Sequence, residues 1–475
     1  MTFIDREREL ESLEKYWRSR EHQLIVIYGK RRIGKTELIK QFIKEKPHLY
    51  FLAQRINETE NLRWLGEATG EFFGDDVLKR SGFKEWRWFF DYLRSHVKSR
   101  LALVFDEFPY LADANKNIAS IFQAGWDESL NSTPVYVILC GSSIAMMESE
   151  VLSEKAPLYG RRTGQVFLRP FSFSDAAKFY PGLPFERCLE FYSIAGGNPS
   201  YLKKLDPKTS LENNLAENLF QPEAFLYSEV EFVLREELRE PRNYFAILKA
   251  IASSKNKFGE IVNETGLDKG VLHKYLFTLE DLHVIQKEVP VTEKNALKSR
   301  RGIYKLQDQF FKFWFRYVLP NKGYIEAGRI DFVGQKMKAD WASFVAENYE
   351  SLAHRLVREH EDRFFPLDKI GRWWDKNEEI DIVALNENEK KALFGEVKWS
   401  NRAVGVDVYE NLKRKTQFVE WNRDGRREYY CLFSKSGFTE NMLKLAAEER
   451  IVLFHGDKML GDAPLVVRGS GNKRS

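Results

Sequence analysis

The chain has 475 residues, of which 43% are hydrophobic and 30% are charged. This length exceeds what a single hydrophobic core holds, so we expect roughly two to four globular domains. The formal net charge is only +4, so the overall charge does not identify a nucleic-acid-binding protein, and any basic surface has to be argued locally.

The cysteines and the apolar segments restrict the class of protein further. Cys140, Cys188 and Cys431 lie far apart and form no CxxC pair, which disfavours a structural zinc site and fits a reducing compartment. The segment "MTFIDREREL" has no apolar signal core, and no apolar run approaches the length of a membrane span. We therefore predict a cytoplasmic protein that does not enter a membrane.

The first chemical motif lies in "IVIYGKRRIGKTELIK", residues 25–40. It fits G-x-x-x-x-G-K-[ST], a phosphate-binding loop between a strand and a helix, in which glycines let backbone N–H groups face phosphate oxygens. Lys35 is expected at the β- and γ-phosphates and Thr36 on Mg²⁺, whereas the cations before Gly34 either meet phosphate or are solvated. We assign to ATP the loop and the first helical turn: Gly29, Lys30, Arg31, Arg32, Ile33, Gly34, Lys35, Thr36 and Glu37.

A second strand signal is "RLALVFDEFPYL", whose apolar residues 101–105 are typical of a parallel strand buried on both faces. Asp106 follows directly and is predicted to hold Mg²⁺ through water. Glu107 is predicted to polarise the attacking water. The alternative interpretation is a strand followed by an ordinary acidic turn.

Two further candidates follow along the chain. The strand "PVYVILCGSS" places Ser142 at its end, where a hydroxyl would sense the γ-phosphate, or where a plain turn would stand. In "PLYGRRTGQVFLRPFS", Arg161 and Arg162 are candidates for an arginine finger that neutralises transferred phosphate, or are surface arginines.

The order of "FIDREREL", "GKRRIGKT", "LVFDE", "LCGSS", "PLYGRR", "RPFSFSDA" and "GGNPSYL" resembles the prokaryotic archaeal ATPase group, in the STAND branch of AAA+ P-loop ATPases, over residues 2–230. The resemblance implies that Arg6 packs near the adenine. It also implies a helical lid that contains "GGNPSYL", with Pro199 near the base. Serine stands at the sensor position, where many AAA+ proteins have asparagine or threonine, which bears on hydrolysis more than on binding.

The middle of the chain has helical spacing. Residues 241–285 are typical of three helices with a turn at 265–268, and a β-hairpin should follow, which together form a winged-helix pattern. The wing carries Lys294, Lys298, Arg300 and Arg301. It would contact DNA phosphates, or, as the resemblance implies, the domain would pack on the nucleotide as a switch. The aromatic residues of "FFKFWFRYVLP" are expected in the core.

The last segment places carboxylates on a helix and two strands. The helix at 341–360 offers Glu350, with Glu347 as the runner-up, and the strands offer Asp381, Glu396 and Lys398. Antiparallel pairing would bring Asp381 beside Glu396, forming a Mg²⁺ site with an adjacent cation. Residues 335–455 resemble the PD-(D/E)XK nuclease superfamily and the uncharacterised domain that accompanies these ATPases, with an inactive relic as the alternative. A basic cluster would guide a phosphate backbone or form a solvated face: Lys413, Arg414, Lys415, Arg423, Arg426 and Arg427.

We therefore predict an α/β protein with a doubly wound P-loop sheet of the AAA+ type. Its expected parts are an ATPase core at 1–170, a helical lid at 171–235, a winged helix at 236–320, a restriction-endonuclease-like α/β domain at 335–460 and a tail at 461–475. The predicted partners are ATP, Mg²⁺ and DNA, the last through the winged helix and the C-terminal domain. A homo-oligomer would let the arginine finger act in trans rather than in cis. The leading function is ATP hydrolysis coupled to nucleic-acid binding or cleavage. The alternative is a non-enzymatic ATP-dependent switch with an inactive nuclease-like domain.

Overall fold

The computed structural model describes residues 4–19, 21–238, 240–296, 298–299 and 301–461. The predicted wing residue Arg300 and the predicted tail beyond Gly461 lie outside the described residues. The chain forms two compact units. The first runs to Phe179 and includes Gly197–Lys204 and Glu231–Glu240, and the second comprises Tyr180–Gly196, Leu205–Val230 and the chain from Pro241 onward.

Helices and strands follow one another along the whole described chain. The α-helices are α1 Glu7–Arg18, α2 Lys35–Ile43, α3 Glu58–Phe73, α4 Asp76–Ser81, α5 Trp86–His96, α6 Phe108–Ala114, α7 Ile118–Glu128, α8 Ile144–Met147, α9 Phe173–Ala177, α10 Phe185–Ala195, α11 Pro199–Leu202, α12 Leu211–Asn218, α13 Glu229–Glu237, α14 Pro241–Ala252, α15 Phe258–Thr265, α16 Lys269–Asp281, α17 Gln309–Phe313, α18 Lys322–Glu326, α19 Ile330–Glu359, α20 Val406–Thr416 and α21 Glu440–Glu449. The strands are β1 Gln23–Tyr28, β2 His48–Leu52, β3 Leu101–Asp106, β4 Val135–Gly141, β5 Gly164–Phe167, β6 Ile285–Glu288, β7 Ile303–Leu306, β8 Lys369–Trp374, β9 Glu379–Asn386, β10 Lys391–Lys398, β11 Arg427–Ser434, β12 Val452–His455 and β13 Lys458–Leu460.

The first unit contains a five-stranded sheet with the order β2-β3-β4-β1-β5, and all of its strands run parallel. β3 and β4 are buried along their whole length, which explains why both are almost continuously apolar in sequence. Alternate side chains enter two separate cores: Leu103 and Phe105 pack in one layer, and Ala102 and Val104 pack in the other. The predicted doubly wound α/β fold is therefore confirmed.

The strand order determines where the motifs meet. β1 lies between β4 and β5, and β4 lies next to β3. Because parallel strands share an edge at their carboxyl ends, the loop after β1, the acidic pair after β3 and the serines after β4 lie at one edge of the sheet. Ligands bind at this edge in open α/β sheets.

The stability of this sheet depends on packing on both faces. Ile138 in β4 is fully buried, so Ile138→Val should lower the free energy of unfolding by about 1 kcal/mol because one buried methylene is removed. Val77, which is 77% exposed, is the control, and Val77→Ala should change stability by less than about 0.5 kcal/mol. Urea unfolding of both variants measures the difference, and equal values for both would contradict the two-layer packing.

In the second unit, α14, α15 and α16 precede the antiparallel hairpin β6–β7, as the sequence predicts. α15 ends at Thr265, and the next residue, Gly266, has a φ of +67° that suits glycine. Asp268 caps α16 by accepting the N–H groups of Gly270 and Val271. The aromatic residues of 310–317 are buried, as predicted. The winged-helix assignment itself stays a prediction.

The C-terminal part of this unit is a six-stranded mixed sheet with the order β13-β12-β11-β10-β9-β8. β9 and β10 pair antiparallel, as the sequence predicts, whereas β10, β11 and β12 run parallel. The long helix α19 begins at Ile330, not near Trp341 as expected from sequence, because Val333 and Met337 continue its buried stripe toward the N-terminus. Among the residues described, no helix combines the length and apolar character that a membrane crossing requires.

Candidate functional site

The phosphate-binding loop depends on a glycine for its close packing and on its own lysine for hydrogen bonds to its backbone. A Cβ atom on Gly29 would lie 2.4 Å from the carbonyl oxygen of Leu168, so only glycine fits there. Lys35 is buried, and its Nζ donates to the carbonyl oxygens of Gly29 at 3.0 Å and Lys30 at 2.9 Å. Burial lowers the pKa of Lys35. An anion beside this lysine would relieve the cost of burying its charge.

Two oxygen-bearing side chains, Thr36 and Asp106, lie side by side at the base of the loop. Thr36 Oγ1 donates to Asp106 Oδ2 at 2.8 Å, although the two residues come from α2 and β3. Tyr50 donates its hydroxyl to the same Oδ2 at 2.6 Å, and burial, followed by this hydrogen bond, raises the pKa of Tyr50. A hydroxyl and a carboxylate are the oxygen donors that suit Mg²⁺, so this pair fits the predicted metal.

Glu107, which follows Asp106, has a strained backbone conformation. Its φ of +55° places a non-glycine residue in the left-handed region, a conformation that clusters at functional sites. Its Oε2 accepts a hydrogen bond from Ser142 Oγ at 2.8 Å. The sequence predicts Ser142 as a sensor of the γ-phosphate, and the structure places its hydroxyl on Glu107.

Arg6 and Pro199 are the two residues predicted near the adenine. Arg6 is buried, donates to the carbonyl oxygens of Arg169 at 2.8 Å and Ile33 at 3.3 Å, and lies 4.2 Å from the ring centre of Phe171. Burial lowers the pKa of Arg6. Pro199 begins α11.

The residues on either side of Pro199 also contact the loop. Asn198 donates to the carbonyl oxygen of Arg31 at 3.4 Å, and Ser200 donates to that of Arg32 at 3.2 Å. The segment "GGNPSYL" thus forms hydrogen bonds with the loop backbone.

The remaining assigned residues have different environments. Arg161 pairs with Asp127 at 2.9 Å, and Arg162 donates to the carbonyl oxygen of Leu152 at 3.1 Å, so both are engaged by residues outside the loop. The finger role of both stays a prediction. Ile33 is buried in the core, and Glu37 lies in the first turn of α2.

Sequence reasoning missed two acids at the end of α13. Glu236 forms an ion pair with the loop residue Arg31. Glu237 Oε2 accepts a hydrogen bond from Ser143 Oγ at 3.2 Å. No spacing rule joins α13 to the loop, because the two lie about two hundred residues apart and meet only through the fold.

The C-terminal carboxylates come together on β9 and β10. The pairing of Gly395 with Ile382 brings the next residues, Glu396 and Asp381, opposite each other. Both acids are buried, and Asp381 Oδ2 accepts the N–H of Val397 at 2.9 Å. Burial, and then the charge of Glu396, raises the pKa of Asp381.

Two lysines contact Glu396, one acid of this pair. Lys398 Nζ lies 2.7 Å from Glu396 Oε1, and Lys415 Nζ lies 3.2 Å and 3.3 Å from the two carboxylate oxygens. Sequence reasoning placed Lys415 in a basic cluster and missed this role. The interpretation of Arg426, in the same cluster, as a candidate for phosphate contact is wrong. Its side chain is only 2% exposed and donates to the backbone carbonyl oxygens of residues 416 and 421.

The helix carboxylate Glu350 has a different cationic partner. It pairs with Arg372 at 3.8 Å and lines a cavity of about 620 Å³ whose lining does not include Asp381 or Glu396. Burial, and then Asp381, raises the pKa of Glu350, so the groups interact electrostatically. The runner-up Glu347 pairs with Arg316 at 3.1 Å.

The structure limits the kind of metal site that these acids can form. In the part of the chain that the structure describes, no group of three or more histidine, cysteine, aspartate and glutamate side chains is arranged to hold a metal ion. Mg²⁺ often takes only one or two carboxylates from a protein and keeps several waters, so the Mg²⁺ site predicted at Asp381 and Glu396 stays a prediction.

The chain is similar to two family models and to a relative of nearly the same length. Residues 3–205 match the model of an ATPase domain predominantly from Archaea, and residues 314–415 match a model of archaeal and bacterial proteins of unknown function. An uncharacterised protein of Methanocaldococcus jannaschii, MJECL04, is 36% identical over 442 residues, which cover 91% of this chain and 95% of that protein.

Two solved structures are similar at lower identity. The Walker-type ATPase PABY2304 of Pyrococcus abyssi is 22% identical with a TM-score of 0.48, covering 66% of this chain and 96% of that one. The ORC2 protein of Aeropyrum pernix, solved with ADPNP and ADP, is 14% identical with a TM-score of 0.42, covering 71% and 96%. From the two family models and the near full-length relative, the chain belongs to the archaeal ATPase family, with a second family domain of unknown function toward its C-terminus.

Proposed function

We propose that this ATPase-family protein binds Mg²⁺–ATP at the loop of residues 29–36, hydrolyses it, and uses the nucleotide state to control nucleic-acid binding by its second unit. The observation that carries the proposal is the meeting of Lys35, the Thr36–Asp106 pair and Glu107 at one edge of the parallel sheet. Phosphoryl transfer needs mainly positioning and charge stabilisation, and this edge supplies both.

Each residue has a distinct proposed role. Lys35 and the loop N–H groups hold the β- and γ-phosphates, and Thr36 and Asp106 hold Mg²⁺. The metal would neutralise charge on the phosphate oxygens. Glu107 orients the attacking water and accepts its proton, after the Glu107 carboxylate has separated from the hydroxyl of Ser142. Arg161 or Arg162 would have to leave its present partner to act as a finger.

Basic side chains on the hairpin support nucleic-acid binding. Lys294 and Lys298 lie exposed between β6 and β7, and Arg301 pairs with Glu293 at 3.2 Å. The exposed side of α16 adds Lys269, His273 and Lys274, which are too few for extensive base readout: this favours phosphate contact over sequence recognition.

Removing two wing lysines tests this binding mode. Lys294→Ala with Lys298→Ala should weaken binding to all DNA sequences alike and reduce the salt dependence of affinity by about one unit for each phosphate that a lysine no longer neutralises. The control removes two exposed lysines of the first unit, Lys79 and Lys98. Fluorescence anisotropy across a salt series measures both, and equal salt slopes for the two double variants would exclude the wing.

Coupling is tested by measuring ATP turnover without nucleic acid and with single-stranded, duplex and branched DNA. We expect turnover to change with at least one of these forms. Phosphate release that none of them alters would refute the coupling. A complete lack of turnover, with ATP still bound, would instead favour a non-enzymatic switch, in which Ser142 keeps Glu107 engaged.

A second candidate function is metal-dependent cleavage of a phosphodiester by the C-terminal sheet. The observation that favours it is the buried pair of Asp381 and Glu396 with two lysines on the second acid. Two acids can hold Mg²⁺, and the lysines would offset charge on the cleaved phosphate. Glu350 would contribute through its electrostatic interaction with Asp381.

A further inference from the structure

The end of α13 contacts both sides of the nucleotide site. Glu236 pairs with Arg31, which lies within the phosphate loop between its two fixed glycines. Glu237 accepts from Ser143, the residue that follows Ser142 at the end of β4. Two consecutive acids therefore connect the loop after β1 with the turn after β4, and the proposed hydrolysis assigns no role to either of them.

The charges around Glu237 are those of the phosphate site. Lys35 and Glu236 interact electrostatically with Glu237. Glu236 in turn interacts electrostatically with Arg31 and Tyr110. Burial raises the pKa of Glu237 to about 7, against the opposing effects of Ser143 and Lys35. Lys35, the lysine that a triphosphate would use, therefore interacts electrostatically with a third acid in addition to Asp106 and Glu107.

We propose that Glu237 discriminates between nucleotides: its carboxylate opposes the outermost phosphate of a triphosphate at Lys35, so that ATP, but not ADP, has to displace the end of α13. This inference rests on the proposed nucleotide site. Like charges at close range repel strongly where water is excluded. A diphosphate lacks the group that would meet Glu237, so the acid and ADP can be accommodated together.

The position of α13 in the chain gives this displacement a consequence. α13 ends at Glu237, and α14, the first helix of the segment predicted to contact DNA, begins at Pro241. The residues that ATP displaces are thus those that lead directly into α14. Release of Glu236 and Glu237 by the γ-phosphate would report the nucleotide state to the second unit.

The test compares nucleotide affinities of the wild type and Glu237→Gln, with ADP and a non-hydrolysable ATP analogue, by isothermal titration calorimetry at pH 8. Glutamine keeps the size of the side chain and its hydrogen-bonding oxygen but removes the charge. We expect the triphosphate analogue to bind about tenfold more tightly, which equals about 1.4 kcal/mol, while ADP affinity changes by less than about threefold. The control Glu128→Gln removes an exposed acid of α7 in the same unit and should change neither affinity.

A pH series separates charge from shape. Glu237 is neutral below its pKa of about 7 and charged above it, so the wild type should lose triphosphate affinity relative to Glu237→Gln as the pH rises from 6 to 8. Referring the wild type to the variant cancels the titration of the nucleotide itself. If Glu237→Gln folds poorly, Ser143→Ala, which frees the acid from its donor, should also favour the triphosphate over ADP.

The outcomes distinguish the two proposals. Wild-type binding of both nucleotides, with equal changes for ATP analogue and ADP in Glu237→Gln or no change at all, overturns the discrimination by Glu237 and leaves the nucleotide site intact. Failure of the wild type to bind either nucleotide refutes the nucleotide site, and the discrimination fails with it.

Discussion

Glu107→Gln is expected to bind ATP as tightly as the wild type and to release phosphate at least about a hundredfold more slowly, since a positioned general base contributes about 10²–10⁴-fold. The glutamine keeps the shape of the side chain and its contact with Ser142 but does not accept the proton of the attacking water. Single-turnover phosphate release and nucleotide titration, carried out on the same preparation, separate hydrolysis from binding.

The control for this variant is Glu128→Gln, which removes an exposed carboxylate of the same unit. It should hydrolyse ATP at the wild-type rate. A Glu107→Gln protein that still turns over ATP normally would show that another residue orients the water. The left-handed backbone of Glu107 would then need a different explanation.

Asp381→Asn and Lys398→Ala are expected to reduce nicking of DNA in the presence of Mg²⁺ or Mn²⁺ by about a hundredfold or more, because each takes away a charge that touches the proposed phosphodiester site. Asp381→Asn keeps an oxygen that accepts the N–H of Val397, so the strand pairing should survive. A gel assay on supercoiled plasmid, with chelator as a blank, measures the decrease.

Lys444→Ala is the matched control on the C-terminal domain and should nick DNA as the wild type does. Lys444 is an exposed lysine of α21 and lies outside the basic cluster. Nicking that survives in Asp381→Asn and Lys398→Ala would point to a contaminating nuclease or a different site. A wild type that does not nick in either metal would leave the domain as a binding module with an inactive nuclease-like site.

Most of the nucleotide site could be predicted from sequence because its residues follow strands that are buried on both faces. Such strands are apolar runs, and Asp106 and Ser142 are therefore identified by where the runs stop. The strand–loop–helix around Gly34 and Lys35 is a local feature with fixed spacing, and it forms as predicted. The antiparallel pairing of Asp381 with Glu396 likewise follows from alternation and a short connection.

The rest depends on contacts between distant segments. Glu237 reaches Ser143, and Lys415 reaches Glu396, and neither pair has a spacing that a sequence pattern reveals. Arg426 stands in the sequence as one cation of a basic cluster, yet its guanidinium is buried under backbone carbonyls of its own loop. Charge alone does not tell a solvated arginine from one that the fold uses as a donor.

The proposed function requires that the loop around Lys35 retains Mg²⁺–ATP. Equilibrium dialysis with labelled ATP and Mg²⁺ should show stoichiometric retention by the wild-type protein. It should show about a hundredfold weaker retention or none by Lys35→Ala, which removes the charge at the β- and γ-phosphates. A wild type that retains no ATP, or a Lys35→Ala protein that retains it as well as the wild type, would contradict the account.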